Sequence, residues 1–352
     1  MYLILTADYE IFGNGTGDAR ACIIHPTQRL LDICNRFGVK VTIFFEVCEY
    51  WAFKEAFEKG LLNWMDYNPS GEMEKQIQEA VRCGHDVQLH LHPQWLNWKL
   101  KGKKWILDMS KWRISALDEE MLESIFIKGK STLESLLKPV NPSYECVAFR
   151  AGALCIQPEE KVLKMMEKLG FLADSTVMPG FFMDKWPTYY DFKVCPNKPY
   201  WKISTSVTEE DPEGPLWELP IRTKFLYPWQ KDIIGKLRKL FKKSSPMLGS
   251  CEGYSIVQSD KNKVWLRLIP RYCSLDVNAS EQLIKLIVKS SIRDAEKYKY
   301  RVYPIVMTGH PKFFTDLSGF KAFLAKSQDW IENGKLSFCT LRELIEILKY
   351  IS

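Results

Sequence analysis

Short apolar segments alternate with amphipathic segments along most of this chain of 352 residues, and this alternation constrains the fold more than any other feature. Residues 3–6, 39–45 and 86–91 are predicted to be strands, and residues 27–37 and 72–82 to be helices. Strands and helices that alternate at this spacing predict a parallel sheet covered by helices, either closed into a barrel or open and doubly wound. No Gly-x-Gly-x-x-Gly segment follows the first strand, which argues against a dinucleotide-binding fold.

The rest of the chain continues the pattern with two interruptions. The further predicted helices cover residues 115–137, 158–169, 281–298 and 340–350, and the further predicted strands cover residues 147–149, 171–173 and 302–307. Residues 96–112 are rich in tryptophan and lysine and are predicted to be a long loop. Residues 184–271 contain many prolines and aromatics, and we interpret them as an irregular segment.

Composition limits the cellular setting and the partners. Apolar residues make up 46% of the chain, which is enough for a sizeable core, and the net charge is +6. This excess is compatible with anionic partners such as phosphate or a membrane surface, but it is far from a nucleic-acid signature, so we predict no nucleic-acid partner.

The ten cysteines form no C-x-x-C pair, and several lie in apolar runs, as expected of free buried thiols in a reducing compartment. No signal peptide or apolar stretch of about 18 residues is recognised, so we predict a soluble cytoplasmic protein.

Ionisable side chains cluster where the predicted strands end. Three of the five histidines fall at such ends. The complete set is Asp8 and Glu10 after the first strand, His90 and His92 at the end of the third, Arg150 after the fourth, and His310 after residues 302–307. In a β/α barrel these ends share one mouth, so we expect the six side chains to converge there.

The spacing within this set indicates a metal site. Residues two apart in an extended chain project to the same side, so His90 and His92 present two imidazoles together, as Asp8 and Glu10 present two carboxylates. Two histidines and a carboxylate, with a position left for water, are the ligands expected of a catalytic zinc or a similar divalent ion. Taken alone, an H-x-H pair also occurs by coincidence and a D-x-E segment also occurs in solvated turns. Their joint placement at strand ends favours the metal site.

Seven segments, in order along the chain, resemble motifs of the polysaccharide deacetylases (carbohydrate esterase family four). Leu5-Thr6-Ala7-Asp8-Tyr9-Glu10 resembles the first motif, T-F-D-D. The others are Val41-Thr42-Ile43-Phe44-Phe45, Gly84-His85-Asp86-Val87-Gln88-Leu89-His90, Phe149-Arg150-Ala151-Gly152, Asp174-Ser175, Trp217-Glu218-Leu219-Pro220 and Gly309-His310-Pro311. The resemblance implies one domain over residues 1–352, an α/β fold with a distorted TIM-like barrel of seven or eight β/α units, and an insertion at about 184–271.

The chain departs from the family pattern at two places. Tyr9 stands where the family has its metal-binding aspartate, which makes Glu10 the natural substitute, although Asp8 is an alternative ligand. Gln94 stands where the family has its second metal histidine, so His92 would take that role unless Gln94 does. The resemblance thus implies a divergent branch that binds its metal through Glu10, His90 and His92.

The resemblance also implies a mechanism of amide hydrolysis. Its cofactor would be a divalent metal, zinc in the first place with cobalt, nickel or iron as alternatives, which lowers the pKa of a bound water to roughly 7. Asp8 would be the general base, Arg150 would keep Asp8 ionised, and His310 would protonate the departing amine. Alternatively, His310 is simply a turn residue before Pro311, and Arg150 simply forms a structural salt bridge; neither would then take part in catalysis.

Two further segments carry alternatives. The loop after the third strand carries four tryptophans, Trp95, Trp98, Trp105 and Trp112. Their rings would either stack on sugar rings or pack on one another as the hydrophobic core of a lid. Residues 235–243 are basic and amphipathic, and they would contact an anionic membrane surface, bind a pyrophosphate-linked donor, or simply face solvent.

The activity implied by the resemblance is removal of an acetyl or formyl group from the nitrogen of an amino sugar. The substrate would be a small-molecule or lipid-linked precursor of a surface glycan. The alternatives are a hydrolase of a non-sugar amide or ureide on the same fold, and a catalytically inactive barrel that only binds glycan.

Overall fold

The alternating pattern folds into parallel strands connected by helices. The computed structural model describes residues 1–227, 251 and 270–351. The strands of this part of the chain are β1 (Tyr2–Tyr9), β2 (Val41–Glu46), β3 (Asp86–Leu91), β4 (Lys99–Lys101), β5 (Lys104–Ile106), β6 (Ala148–Ala151), β7 (Ala173–Asp174), β8 (Phe182–Lys185), β9 (Thr188–Asp191), β10 (Trp201–Ile203), β11 (Leu216–Glu218), β12 (Thr223–Leu226), β13 (Arg271–Ser274), β14 (Pro304–Met307) and β15 (Ser337–Phe338). The α-helices are α1 (His25–Arg36), α2 (Val47–Glu58), α3 (Pro69–Arg82), α4 (Glu119–Leu137), α5 (Glu160–Lys168), α6 (Glu281–Tyr298), α7 (Ser318–Lys326), α8 (Gln328–Glu332) and α9 (Leu341–Ile351).

One curled sheet dominates the structure. Its strand order is β10-β11-β7-β6-β3-β2-β1-β14, with β15 paired to the start of β1. All neighbours in this order are parallel except β10 and β11. A parallel bridge between Ile221 and Val306 joins the chain after β11 to β14 at the opposite edge. The prediction of an α/β fold with a distorted β/α barrel is therefore confirmed.

The alternation of side chains along β1 explains why the mouth of the barrel is polar. Odd-numbered residues such as Leu3 and Leu5 belong to the large core between the sheet and the helices. Even-numbered residues point into the barrel, where Ile4 packs with Phe44 and Val306. Apolar residues of α9 close the bottom of this interior. Polar even-numbered residues follow towards the carboxyl ends of the strands, which is where a barrel carries its site.

The structure corrects three expectations about local structure. Helix α2 has no counterpart in the predicted elements, because apolar residues occur on nearly all of its sides and leave no helical stripe in the sequence. The predicted loop over residues 96–112 contains the antiparallel hairpin of β4 and β5. The stretch 184–271 is not wholly irregular, because β11 within it is a parallel member of the main sheet.

Cysteine pairing differs from the expectation in one place. Cys22 and Cys251 form a disulfide, so the prediction of free thiols is wrong for this pair. The other eight cysteines are free, and five of them are buried. Burial raises the pKa of the Cys34 and Cys146 thiols to about 12, so these two are unreactive at neutral pH.

Two predictions concern membranes. In the part of the chain that the structure describes, the helices are too short or too polar to cross a bilayer. The basic segment 235–243 lies outside the described residues.

Candidate metal centre and active site

The carboxyl ends of four strands bring together all six side chains that the sequence analysis singled out. They are Asp8, Glu10, His90, His92, Arg150 and His310, and all except His310 are buried. The strand register explains the meeting, because His90 of β3 pairs with Glu46 of β2 on one side and with Arg150 of β6 on the other.

Glu10, His90 and His92 form a compact triad. Oε2 of Glu10 lies 2.5 Å from Nε2 of His92 and 3.7 Å from Nε2 of His90. One ligand atom from each of the three residues lies within 4.8 Å of the others, a spacing at which one cation could contact all three. Two imidazole nitrogens and one carboxylate oxygen match the ligand set of a catalytic zinc site.

The tautomer of His90 also fits a metal ligand. Its Nδ1 lies 2.8 Å from the backbone oxygen of Arg150, which can only accept, so the ring proton is on Nδ1. Nε2 therefore presents a lone pair towards Glu10. Both Nε2 atoms of His90 and His92 are buried without a hydrogen-bond partner, a costly state that a bound divalent cation would relieve.

His92 is held from its other side by Gln94 and Gly152. Nε2 of Gln94 lies 3.0 Å from Nδ1 of His92, on the ring nitrogen that does not face Glu10. The Gln94 side chain therefore contacts the ring of His92, and this placement favours His92 over Gln94 as the candidate ligand. A Cβ on Gly152 would lie only 2.7 Å from Cγ of His92, so a glycine is required for the ring to pack there. Which nitrogen of the ring carries the proton depends on the orientation of the Gln94 amide.

Asp8 lies beside the triad and is fixed by Arg150. Nη1 of Arg150 donates to Oδ1 of Asp8 at 2.6 Å and to Oγ1 of Thr6 at 3.0 Å. Nε and Nη2 of Arg150 donate to the backbone oxygen and Oγ of Ser175 at 2.7 and 3.0 Å. Burial by itself would raise the pKa of Asp8, but the charges of Arg150, His310 and His90 outweigh it and hold that pKa below its ordinary value. Asp8 is therefore a carboxylate at neutral pH, as a general base requires.

His310 faces Asp8 from the end of β14. Its Nε2 lies 3.3 Å from Oδ2 of Asp8, and 32% of its side chain is exposed. Burial, together with the nearby charge of Lys312, lowers the pKa of His310 against the opposing effect of Asp8. A neutral imidazole next to a carboxylate can receive a proton and release it again, which suits proton transfer in either direction.

Lys312 is a site residue that the sequence analysis missed. Its Nζ donates to Oε1 of Glu10 at 2.7 Å and to the backbone oxygen of Ile11 at 3.0 Å. Burial by itself would raise the pKa of Glu10, but the charges of His92 and Lys312 and the closeness of the His90 ring outweigh it and hold that pKa well below the ordinary value. The only sequence signal was a lysine two residues after His310, and lysines are too common on surfaces for that signal to be used.

A cavity of about 310 Å³ opens in front of Asp8 and His310. Its apolar wall includes Leu154, Met178 and Met183, and its polar wall includes Asp276 and Thr308. Burial raises the pKa of Asp276 to about 6. The volume lies at the lower end of the range for small-molecule sites.

The four tryptophans are mainly the core of a lid. Trp95, Trp98 and Trp105 pack on one another, with the ring of Trp105 5.2 Å from each of the other two. Trp95 and Trp105 are buried, so their faces are closed to a ligand. Trp112 is also buried, and its ring lies 6.0 Å from the ring of His92, next to the triad. This packing favours a hydrophobic core formed by the tryptophans themselves over stacking of their rings on sugars.

Comparisons with known proteins find similarity in structure alone. No family model and no curated protein sequence matches the chain. A structure from Mycobacterium smegmatis, described as a candidate polysaccharide deacetylase, aligns over 99% of this chain and 90% of its own, with 13% sequence identity and a TM-score of 0.51.

Two further structures align with lower scores. An allantoinase, PuuE, is 12% identical over 98% of this chain and 89% of its own, with a TM-score of 0.48. A candidate polysaccharide deacetylase from Pseudomonas aeruginosa PAO1 is 13% identical over 98% of this chain and 89% of its own, with a TM-score of 0.45. The likeness to the Mycobacterium smegmatis structure confirms the resemblance to polysaccharide deacetylases at the level of the fold.

Proposed function

We propose that this protein, which has the fold of polysaccharide deacetylases, is a metal-dependent hydrolase that removes an acetyl or formyl group from the nitrogen of an amino sugar. One observation carries the proposal. Asp8, ionised beside Arg150, lies next to a triad in which two buried imidazole nitrogens and a carboxylate oxygen face one another without other partners. This arrangement combines a general base with a place for a divalent cation.

Glu10, His90 and His92 would hold the cation. Zinc is the first candidate, and cobalt, nickel and iron are the others. When bound, a divalent cation polarises a water molecule and the acyl carbonyl, which makes attack at neutral pH feasible. Each of the three ligands is oriented by a contact on its other side. The Gln94 amide contacts His92, the backbone oxygen of Arg150 accepts from His90, and Lys312 donates to Glu10.

Asp8 and His310 would move the proton. Oδ2 of Asp8 accepts a proton as water attacks the acyl carbon, while Arg150 keeps Oδ1 occupied. Nε2 of His310 is 3.3 Å from that Oδ2, so the proton can pass to the imidazole. His310 then donates it to the amine nitrogen as the C–N bond breaks, and the products are the amino sugar and a carboxylic acid, which gives its remaining proton to the solvent.

We extend the proposal to a nucleotide-linked or lipid-linked precursor of a surface glycan. A cavity of about 310 Å³ suits a single sugar unit better than an assembled polymer. The net charge of +6 favours a substrate that carries phosphate. A location in the cytoplasm stays a prediction.

The test is a substrate panel with the protein as purified and with the zinc-loaded protein. The panel contains N-acetylated and N-formylated amino sugars, free, nucleotide-linked and lipid-linked, together with a ureide. Released acetate or formate is measured for the sugars, and consumption of the substrate is measured for the ureide. We expect acyl release from an amino sugar that is lost in Asp8→Asn although the variant still binds zinc.

The same experiment separates the alternatives. Turnover of the ureide alone would support the non-sugar hydrolase. Binding of glycan with neither stoichiometric metal nor acyl release would support the inactive barrel and would overturn the proposal.

A further inference from the structure

The two carboxylate oxygens of Glu10 have different neighbours. Oε2 faces the Nε2 atoms of His90 and His92, at 3.7 and 2.5 Å. Oε1 accepts a hydrogen bond from Nζ of Lys312 at 2.7 Å and lies 3.8 Å from Nε2 of His310. A carboxylate can bind a cation through one oxygen or through both, so the partner of Oε1 decides which mode is open.

Contacts on several sides hold the side chain of Lys312 in this position. Only 8% of its side chain is exposed, although lysine is among the residues most often found at surfaces. Besides Oε1 of Glu10, its ammonium donates to the backbone oxygen of Ile11 at 3.0 Å. The rings of Phe12 and Phe313 lie 5.7 and 5.8 Å from Nζ. The ammonium therefore has two fixed acceptors and aromatic walls on two sides.

The ionised carboxylate of Glu10 explains why a buried ammonium is tolerated there. Four carboxyl groups, those of Asp8, Glu10, Glu46 and Glu49, are buried close together at this end of the barrel. Arg150 pairs with Asp8, whereas Glu46 and Glu49 accept backbone N–H groups of neighbouring residues. Lys312 is the cation of the described chain that pairs directly with Glu10. Its position at one chosen oxygen gives it a directional role as well as a compensating charge.

We propose that Lys312 is a positioning residue that occupies Oε1 of Glu10 and thereby restricts Glu10 to binding a divalent cation through Oε2 alone. A catalytic metal site must keep a coordination position open for water and substrate. A second carboxylate oxygen would fill that position. This inference rests on the metal dependence in the proposed function and adds the residue that sets the ligand count.

The test compares cobalt-loaded wild type with Lys312→Met and Lys312→Arg. The visible absorption of bound Co²⁺ reports the number and geometry of its ligands. We expect Lys312→Met to bind one equivalent of Co²⁺ with a changed spectrum of lower intensity, because Oε1 becomes free to join Oε2. Acyl release should fall roughly 10- to 100-fold, as is usual when a residue behind a metal ligand is lost. Lys312→Arg, which can still donate to Oε1, should keep the spectrum of wild type.

A matched control is Lys326→Met, which removes an exposed lysine that pairs with Glu281 far from the site. It should change neither the spectrum nor the activity. A wild-type spectrum in Lys312→Met, or the same altered spectrum in Lys312→Met and Lys312→Arg, would overturn the role of Lys312 while leaving the proposed function intact. Wild-type protein that binds no divalent metal would overturn both.

A second measurement covers the case in which Lys312→Met does not fold. In a crystal structure of the zinc-loaded wild type, Glu10 should bind zinc through one oxygen while the other keeps its hydrogen bond to Lys312. Chelation of the zinc through both oxygens of Glu10 would contradict the inference.

Discussion

Nη1 of Arg150 lies 2.6 Å from Oδ1 of Asp8, and both side chains are buried. The guanidinium is fixed by further hydrogen bonds to Thr6 on β1 and to Ser175 just after β7. Removal of one partner from a buried ion pair typically costs about 3–5 kcal/mol of stability. The pair therefore supports the fold and the chemistry of the site together.

Arg150→Lys should shift the acid limb of the pH–rate profile to higher pH. Lysine cannot reproduce the four hydrogen bonds of the guanidinium, so the burial of Asp8, which raises its pKa, is less well opposed. Asp8 then takes up a proton at a higher pH and is lost as a base there. The measurement is kcat/KM against pH for both proteins. Arg20→Lys, at a partly exposed ion pair with Glu72, is the control and should leave the limb in place.

His90→Gln and His92→Gln should each abolish stoichiometric metal binding. Each removes one of three ligands, whereas His25→Gln changes an exposed histidine outside the site and should keep the metal. Metal content by elemental analysis checks this. Retention of a full equivalent in both ligand variants would show that the triad is not the metal site.

Metal binding by the wild type should weaken as the pH falls. Burial by itself would lower the pKa of His90, but the nearby carboxylate of Glu10 and the charges of Asp8 and Glu46 outweigh it, so the net shift of this pKa is upward. A metal must displace that proton, so below the pKa the affinity should fall about tenfold per pH unit for each proton displaced. Titration calorimetry at several pH values measures it, and an affinity independent of pH would contradict imidazole ligands.

Gln94→Ala should weaken metal binding roughly 10- to 100-fold, because the amide beside Nδ1 orients the ring of His92. Gln78→Ala is the matched control, since Gln78 donates to a backbone oxygen on α4 and does not contact the site. Dissociation constants for zinc, measured by competition with a chelator, would test whether Gln94 supports metal binding. Equal affinities in the two variants would exclude a role for Gln94.

His310→Asn should slow release of an ordinary amino sugar by roughly 10²- to 10⁴-fold, the usual contribution of a general acid. The loss should be much smaller for an activated aryl amide, because its leaving amine needs less protonation. Metal content should match that of wild type, since His310 is outside the triad. Equal losses for both substrates would assign His310 to another role.

His85→Asn should destabilise the protein more at pH 7 than at pH 5. Nδ1 of His85 accepts from the backbone of Val41, its other ring nitrogen lies 3.1 Å from Oδ1 of Asn35, and burial lowers its pKa to about 4. The folded protein therefore keeps this ring neutral down to about pH 4, while the unfolded chain takes up a proton near pH 6.5. The stability that the neutral ring of His85 provides is therefore lost as the pH falls from 6.5 towards 4. Urea denaturation should show the difference between the two proteins shrinking by about 2 kcal/mol at most from pH 7 to pH 5. A constant difference would contradict the neutral ring.

The sequence by itself predicted the parallel sheet and the meeting of six side chains at one mouth. The pattern of β1 and β3 was sufficient, because residues two apart in a strand share a face and the carboxyl ends of parallel strands share an edge. Asp8 with Glu10, and His90 with His92, therefore had to point the same way once the strands were assigned.

The tertiary structure alone decided what lies behind each of these groups. Lys312 reaches Glu10 across about 300 residues of sequence, and Gln94 turns towards the rear of His92. It also decided that the tryptophans after β3 pack on one another and that α2, whose apolar residues are spread around its axis, is a helix. Such contacts depend on how distant segments pack, and local periodicity reports only which face of a single segment is apolar.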